Sequence, residues 1–451
     1  MTCPRNVLRR WCLDEAALVT EGSHRIQGVV MIQRIEALNY RCLRYVDQQL
    51  ADFQILVGPN ASGKTAFLDV IAFLGDLVTG GLDQAVEERA HNFQDLMWQR
   101  SGDRVELAVE LVIPVERREL LKAAPYHVVR YEVAIGREKE GSETAILSER
   151  VLLKTDHPLQ PIQLGFPRQG LAPKTLTSPH RVKNSRTVVN KVRGGNDNYY
   201  SEVYPVAGKG WVPSFKLGPR RSALGSLPAD EHKFPVSTWL QGLLTEGVQK
   251  IGLNSLLMRK ASPPAPGRRL KPDGSNLPWV VESFKRTSPD GFSAWLAHVR
   301  TALPDIRNLR TVERPDDEHR YLVVEYAGDL HVPSWLVSDG TLRFLALTIL
   351  AYLPEFTGIC LIEEPENGIH PRAVETLFQS LSSVHSAQIL LTTHSPVVLS
   401  VAQPHQLLCF ARSYSGTVEI VPGTGHPALR DWQGAGDLGV LFARGLLSNP
   451  G

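Results

Sequence analysis

A chain of 451 residues, 43% hydrophobic and 21% charged, has the composition of a globular protein with a substantial core, enough for one large domain with an insertion or about two to three ordinary ones. Its formal net charge of +2 gives no global sign of a polyanionic partner, so any nucleic-acid footprint must come from local asymmetry. Five scattered cysteines, Cys3, Cys12, Cys42, Cys360 and Cys409, contain no CxxC, which argues against a disulfide framework or zinc site and fits a reducing cytosol.

Residues 1–30 show no clear period. Arg5, Arg9 and Arg10 precede only the short apolar run Ala16 to Val19, with Asp14 and Glu15 before it, so the stretch reads as an N-terminal extension and not as a signal peptide. From Met31 a strand-like alternation leads through Leu43 and Val46 into the apolar run Phe53 to Val57. There the sequence reads GPNASGKT: Gly58, Pro59, Asn60, Ala61, Ser62, Gly63, Lys64 and Thr65, followed by Ala66. Two glycines at this spacing before Lys and Thr are the P-loop pattern. Backbone N–H groups at the glycines and the positive end of the following helix cradle nucleotide phosphates, Lys64 adds a point charge, and Thr65 offers a hydroxyl to Mg²⁺. Phe67, Leu68, Ile71, Leu74 and Val78 give that helix one apolar face, and Gly80 and Gly81 are expected to stop it. A helical stretch is expected near residues 84–100. Strands follow at residues 105–113, 128–135 and 145–153, alternating as half-buried strands do, and read as an antiparallel sheet beside the nucleotide site. This N-terminal lobe spans residues 31–153.

The composition changes at residue 154. Between Val151 and Arg221 stand twelve Lys or Arg against three acids, with Tyr199, Tyr200, Tyr204, Trp211 and Phe215 interleaved. A second basic cluster, Arg259, Lys260, Arg268, Arg269 and Lys271, lies in a proline-rich loop. Residues 238–257 and 284–303 are helical in composition, and no heptad repeat suggests coiled-coil arms. Residues 154–310 therefore read as a basic, partly helical insertion, either a solvated loop or a groove with cations for phosphates and aromatics for stacking bases.

Order returns at Tyr321 to Tyr326. Ser338, Asp339, Gly340 and Thr341 precede a helical pattern, so Ser338 serves as an N-cap at a helix start that can also receive an anion. Residues 342–362 are the most apolar region, but Arg343, Pro354 and Glu355 make it helix, turn and strand instead of a membrane span. The run Ile359 to Ile362 suits a strand buried on both faces. It ends in Glu363 and Glu364, where carboxylates at a strand's C-terminal end can serve a ligand. Glu363 is placed to hold Mg²⁺ and Glu364 to orient an attacking water. A second buried strand, Ile389 to Leu391, delivers Thr392, Thr393 and His394.

GPNASGKT, SDGTLR, ICLIEEPENGIHP and LLTTHSP, in that order, resemble the motifs of ABC-type ATPases of the RecF, SMC and OLD group, most closely the stand-alone OLD-like AAA family ATPases of AAA_21 type. The resemblance covers roughly residues 31–115 and 305–400. It implies an α/β P-loop NTPase of ABC-ATPase head type, with a mixed central sheet, a flanking antiparallel sheet and the inserted basic region, and a C-terminal lobe over residues 311–451. It also implies ATP and Mg²⁺ as ligands, with Ser338 and Gly340 in the signature, Asn367 to His370 in the D-loop, and Glu364, His394 and Lys64 as catalytic groups. The family builds two composite sites in a head-to-head dimer, so Ser338 and Gly340 are expected to touch ATP on the other copy.

Three positions depart from the usual pattern. Glu363 stands where Asp is common, SDGT lacks the second glycine and glutamine of transporter signatures, and the Q-loop glutamine is either Gln94 or Gln99. OLD nucleases carry a TOPRIM domain with clustered acids; here the acids after His394 are Glu419, Asp431 and Asp437, with no DxD, so the chain is expected to cut nothing itself. The resemblance implies a cytoplasmic ATPase that couples closure to DNA or to a separate effector such as a nuclease or toxin, in prokaryotic defence. A RecF-like repair ATPase, a transporter's nucleotide-binding subunit and an ATP-held scaffold are the competing readings.

Overall fold

Alternating apolar and polar residues build the first sheet. The computed structural model describes residues 32–121, 125–137, 143–155, 172–179, 183–203, 213–264, 269–354, 356–413, 416–430 and 438–445. The N-terminal extension with Cys3 and Cys12, and also Arg168, Arg181, Tyr204, Lys209, Trp211, Arg268, Asp431 and Asp437, lie outside the described residues. In chain order come β1 (Ile32–Tyr40), β2 (Leu43–Gln49), β3 (Phe53–Val57), the P-loop helix (Lys64–Glu87), β4 (Arg104–Val112), β5 (Val128–Gly136), β6 (Ala145–Lys154), β7 (Ser185–Val192), β8 (Asp197–Tyr199) and β9 (Ser214–Phe215). All of these strands except β3 form one antiparallel sheet, ordered β2-β1-β4-β5-β6-β7-β8-β9.

One face of this sheet, with Ile35, Leu107, Val109, Tyr131, Val133 and Val151, shares a core with Phe67, Val70, Phe73 and Leu74 of the P-loop helix. The other face is charged, and it too is buried. Glu36, Glu106, Glu110, Arg130, Glu132 and Arg150 are each under a tenth exposed. Arg130 pairs with Glu36, with Glu110 at 3.1 Å and with Glu132 at 2.8 Å. Residues 172–179 lie across them: Ser178 N–H donates to Glu132 (2.9 Å), Leu176 N–H to Glu106, and Arg130 donates to the Leu176 carbonyl (3.1 Å). The half-buried reading of these strands is thereby corrected. The polar face is covered because carboxylates and guanidinium groups satisfy one another and the backbone laid over them. The change in composition at 154 marks no structural break either, since β7, β8 and β9 extend the same sheet.

The second sheet carries the site. After β10 (Val248–Ile251) come a small antiparallel sheet of β11 (Ile306–Glu313), β12 (Arg320–Tyr326) and β13 (Leu330–Pro333), the helix Asp339–Thr348, then β14 (Gly358–Glu363), β15 (Ala387–Thr393), β16 (Leu407–Arg412) and β17 (Val418–Pro422). The central sheet runs β10-β14-β15-β3-β16-β17 and is parallel except for the last pair, so it is mixed. Ile359 and Leu361 of β14 join the core around the P-loop helix, while Cys360 and Ile362 join the core beneath the helices Leu277–Thr287, Pro289–Ala302, Asp339–Thr348 and Pro371–Ser382. Burial on both faces is why the strand reads as an uninterrupted apolar run. Gln388 ties the two large sheets together, donating to the carbonyls of Ile32 (3.0 Å) and Ala51 (2.9 Å) and accepting from Ile32 N–H (2.9 Å).

Three elements differ from the sequence reading. The P-loop helix does not stop at Gly80 and Gly81; it kinks at Gly81, where φ is 84°, and runs on to Glu87. The helix expected over 84–100 is instead its last turn plus two 3₁₀ turns, Phe93–Leu96 and Trp98–Arg100. Residues 238–257, expected to be helical, hold the helix Pro235–Gly242, a single π turn at Leu243–Gly247 and the strand β10.

Candidate active site

The P-loop is set by close backbone approaches. A Cβ on Gly58 would lie 2.4 Å from the Phe410 carbonyl oxygen of β16, so only glycine lets the loop leave β3 here. Gly63, at φ 100°, turns the chain into the helix. Lys64 folds back, its Nζ donating to the carbonyls of Gly58 (2.8 Å) and Pro59 (2.9 Å). Burial lowers its pKa to about 8, with the Glu364 carboxylate opposing the shift. Ser62 is buried and its hydroxyl has no hydrogen-bond partner among the described residues. A cleft of about 640 Å³ opens over Asn60, Ala61, Ser62, Gly63, Lys64, Thr65 and Ala66, and its walls include Arg41, Glu364, His394 and Arg412. Its size is that of a small-molecule site.

β14 delivers the two carboxylates to different partners. Thr65 Oγ1 donates to Glu363 Oε2 (2.9 Å), and Lys250 Nζ lies 3.0 Å from Glu363 Oε1. Glu364 adopts φ 49°, a left-handed conformation that costs a non-glycine residue about 1–2 kcal/mol. Its N–H is held by the Thr392 carbonyl (3.0 Å), and its Oε2 accepts from Asn367 Nδ2 (2.5 Å). The strained turn places the Glu364 carboxylate in the cleft wall, with His394 Nε2 3.7 Å from Oε1. Burial and the nearby Lys64 ammonium lower the His394 pKa, against the pull of Glu364 and Glu366. Glu366 fixes the end of β15 from behind, its Oε1 accepting from Thr393 Oγ1 (2.6 Å) and His394 N–H (3.1 Å).

Ser338 and Gly340 are not in this cleft. Ser338 caps the helix Asp339–Thr348, its hydroxyl accepting from Thr341 N–H (3.2 Å). A Cβ on Gly340 would sit 2.2 Å from the Gly368 carbonyl oxygen, and Arg343 Nη1 donates to the Asn367 carbonyl (3.0 Å), so this helix start is locked to the loop that follows Glu364. Gln99 lines the cleft and Gln94 does not.

Sequence reasoning passed over Arg41, Glu366, Arg412 and Lys250, and it named Thr392 after its strand and Asn367 in the D-loop without giving either these contacts. Asn367 and Glu366 lie within a quoted motif. Lys250 carried no signal, because its strand was read as helix.

As for a metal, Thr65 and Glu363 supply hard oxygen donors, and the Lys250 ammonium on Glu363 shows that a cation fits there. No group of three or more His, Cys, Asp or Glu among the described residues could hold a metal ion. Mg²⁺ suits such a sparse donor set, since it completes its shell from substrate phosphates and water.

A family model described as "AAA domain, putative AbiEii toxin, Type IV TA system" matches residues 53–400. The chain belongs to this AAA family. The match opens at β3 and closes beyond His394, so it contains the P-loop, both carboxylates and the Ser338 helix. No curated protein matches. Among solved structures, an SMC head bound to the C-terminal winged-helix domain of ScpA is 13% identical, with a TM-score of 0.49, covering 86% of this chain and 97% of that one. An SMC head domain with an extended coiled coil, bound to the C-terminal domain of ScpA from Pyrococcus furiosus, is 12% identical, with a TM-score of 0.48, covering 87% and 96%. The SMC head domain from Thermotoga maritima is 13% identical, with a TM-score of 0.39, covering 87% and 98%.

Proposed function

We propose that this AAA-family chain is an ABC-type ATPase that hydrolyses ATP to ADP and phosphate and uses nucleotide-driven closure of two copies to act on DNA or on a separate effector. The observation that carries the reading is the convergence of Lys64, Thr65, Glu364 and His394 on one cleft, with Glu363 hydrogen-bonded to Thr65, while Ser338 and Gly340 stand outside it. Lys64, with the P-loop amides, binds the β- and γ-phosphates and stabilises charge as it develops. Glu364 orients the water in line with the γ-phosphate and accepts its proton, and His394 contacts the γ-phosphate. Thr65 and Glu363 would hold Mg²⁺, which would supply further positive charge to the phosphate oxygens. Ser338 and Gly340 serve ATP bound by the other copy.

A role in prokaryotic defence draws on the family description, which refers to a Type IV toxin–antitoxin system; the cytoplasmic setting and the separate effector are proposed from the motif resemblance alone. For DNA, exposed Lys174, Lys183, Lys216 and Arg221 are available, with Tyr200 and Phe215, whereas Arg220 pairs with Asp83. Other members of the basic region are committed internally: Lys191 is buried against Asp197 (2.8 Å), Lys154 pairs with Glu110 (2.9 Å), and Tyr199 is buried with its hydroxyl on the Ala223 carbonyl (2.9 Å).

The test is turnover in mixed variants. Lys64→Ala abolishes ATP binding and Ser338→Arg abolishes turnover, each alone. Mixing the two restores part of the turnover, because a mixed dimer pairs one intact P-loop with one intact Ser338. Inactivity of the mixture at concentrations where each protein binds its partner would remove the composite site.

A further inference from the structure

Lys250 reaches the candidate metal site from the region that sequence assigned to the basic insertion. The helix Pro235–Gly242 loosens into one π turn and then straightens into β10, which adds to the edge of the central sheet in parallel register with β14, Lys250 opposite Leu361 and Ile251 opposite Ile362. The parallel register brings the two strands out at the same end of the sheet, where Glu363 follows Ile362. Side chains alternate along the strand, so Ile251 is buried while Lys250 stays about half exposed and lays its ammonium on Glu363 Oε1 at 3.0 Å. The other oxygen of that carboxylate already accepts from Thr65. Both oxygens are therefore engaged, one by a hydroxyl and one by a cation.

We propose that Lys250 is a placeholder cation: its ammonium holds Glu363 in the metal-free protein and is displaced when Mg²⁺ arrives with nucleotide, so that loading the site releases a side chain of β10. This rests on the reading of Thr65 and Glu363 as the metal-holding pair. The physical ground is competition. An ammonium and a divalent ion cannot both sit within contact distance of one carboxylate without strong repulsion. The lysine, on a flexible stem in half-open surroundings, is the one that can leave, since an exposed pair of this kind is weak. Glu363 also has one more rotatable bond than the aspartate common at this position, and a second anchor limits its freedom while the metal is away. Within the described residues, β10 is the one strand from residues 154–310 that joins the central sheet. Release of Lys250 is thus a route by which metal loading reaches that region.

The experiment titrates Mn²⁺, followed by electron paramagnetic resonance, into protein saturated with a non-hydrolysable ATP analogue. It compares wild type, Lys250→Met, which keeps length without charge, and Lys250→Arg, which keeps the charge. Thermal melting confirms that each variant folds. The inference predicts that Lys250→Met binds Mn²⁺ about three- to tenfold more tightly than wild type, while Lys250→Arg stays near wild type. In wild type, an amine-acylating reagent should modify Lys250 faster once Mg²⁺ and the analogue are present. Unchanged or weaker Mn²⁺ binding in Lys250→Met would overturn the inference, a weakening meaning that Lys250 positions Glu363 for the metal. If wild type binds the analogue but no Mn²⁺ with it, the metal-holding pair itself is wrong and the inference falls with it.

Discussion

Lys64 illustrates how burial writes a pH dependence into a binding site. In the free protein its pKa is lowered to about 8 by desolvation, and phosphate oxygens beside the ammonium favour the charged form. The sign follows: below pH 8 Lys64 is already protonated and binds directly, whereas above it the protein must take up a proton first, so affinity falls as pH rises. ATP affinity measured calorimetrically should be about tenfold lower at pH 9 than at pH 7, with proton uptake seen as a dependence on buffer ionisation enthalpy. Equal affinities would mean that Lys64 stays protonated up to pH 9 in the free protein. Gly340 sets a second residue-scale expectation. Its missing Cβ admits the Gly368 carbonyl, so Gly340→Ala must shift the start of the Asp339–Thr348 helix, at a cost of about 1–3 kcal/mol. Since neither glycine lines the cleft, the variant should retain ATP binding and lose turnover, which filter binding and phosphate release distinguish. These residues differ in legibility. The P-loop glycines, Glu363 and Glu364 can be read directly, because their spacing is imposed by phosphate and strand geometry. The left-handed turn at Glu364 and the ion pair of Lys250 depend on contacts between distant segments.

At the scale of elements, β3, β14 and β15 are legible because parallel strands buried on both faces must be apolar throughout, while β1, β4, β5 and β6 alternate as one-sided strands do. What the alternation concealed is the covering of their polar face. Charged residues were read as solvent-facing, yet Arg130 bridges three carboxylates beneath residues 172–179. Arg130→Met should destabilise the protein by about 3–5 kcal/mol in chemical denaturation, since it leaves Glu36, Glu110 and Glu132 buried without their shared cation. A loss under ~1 kcal/mol would show that this face is wetter than its burial implies. β10 was missed for a different reason. Its four residues, Val248–Ile251, follow the helix after a single π turn marked only by Gly242 and Gly247, and tertiary pairing with β14 overrides the helical composition around them.

For the whole molecule, the two large sheets and the P-loop helix between them make one support for the cleft, while the Ser338 helix faces elsewhere. Under the proposed function such a chain carries one half of each composite site, and closure of two copies would complete both. If the exposed cations of the 174–221 region bind duplex DNA, affinity should fall steeply between 50 and 200 mM salt, on the order of tenfold or more, as counterion release requires. A flat salt response would point to a protein partner instead. Closure by ATP is probed with Glu364→Gln, because that variant keeps the phosphate-binding loop and removes the proposed base. Its mass in solution, measured with and without ATP and Mg²⁺, should double from the 50.0 kDa chain to a dimer only when both are present. A mass that does not change with nucleotide would rule out ATP-driven closure of two copies.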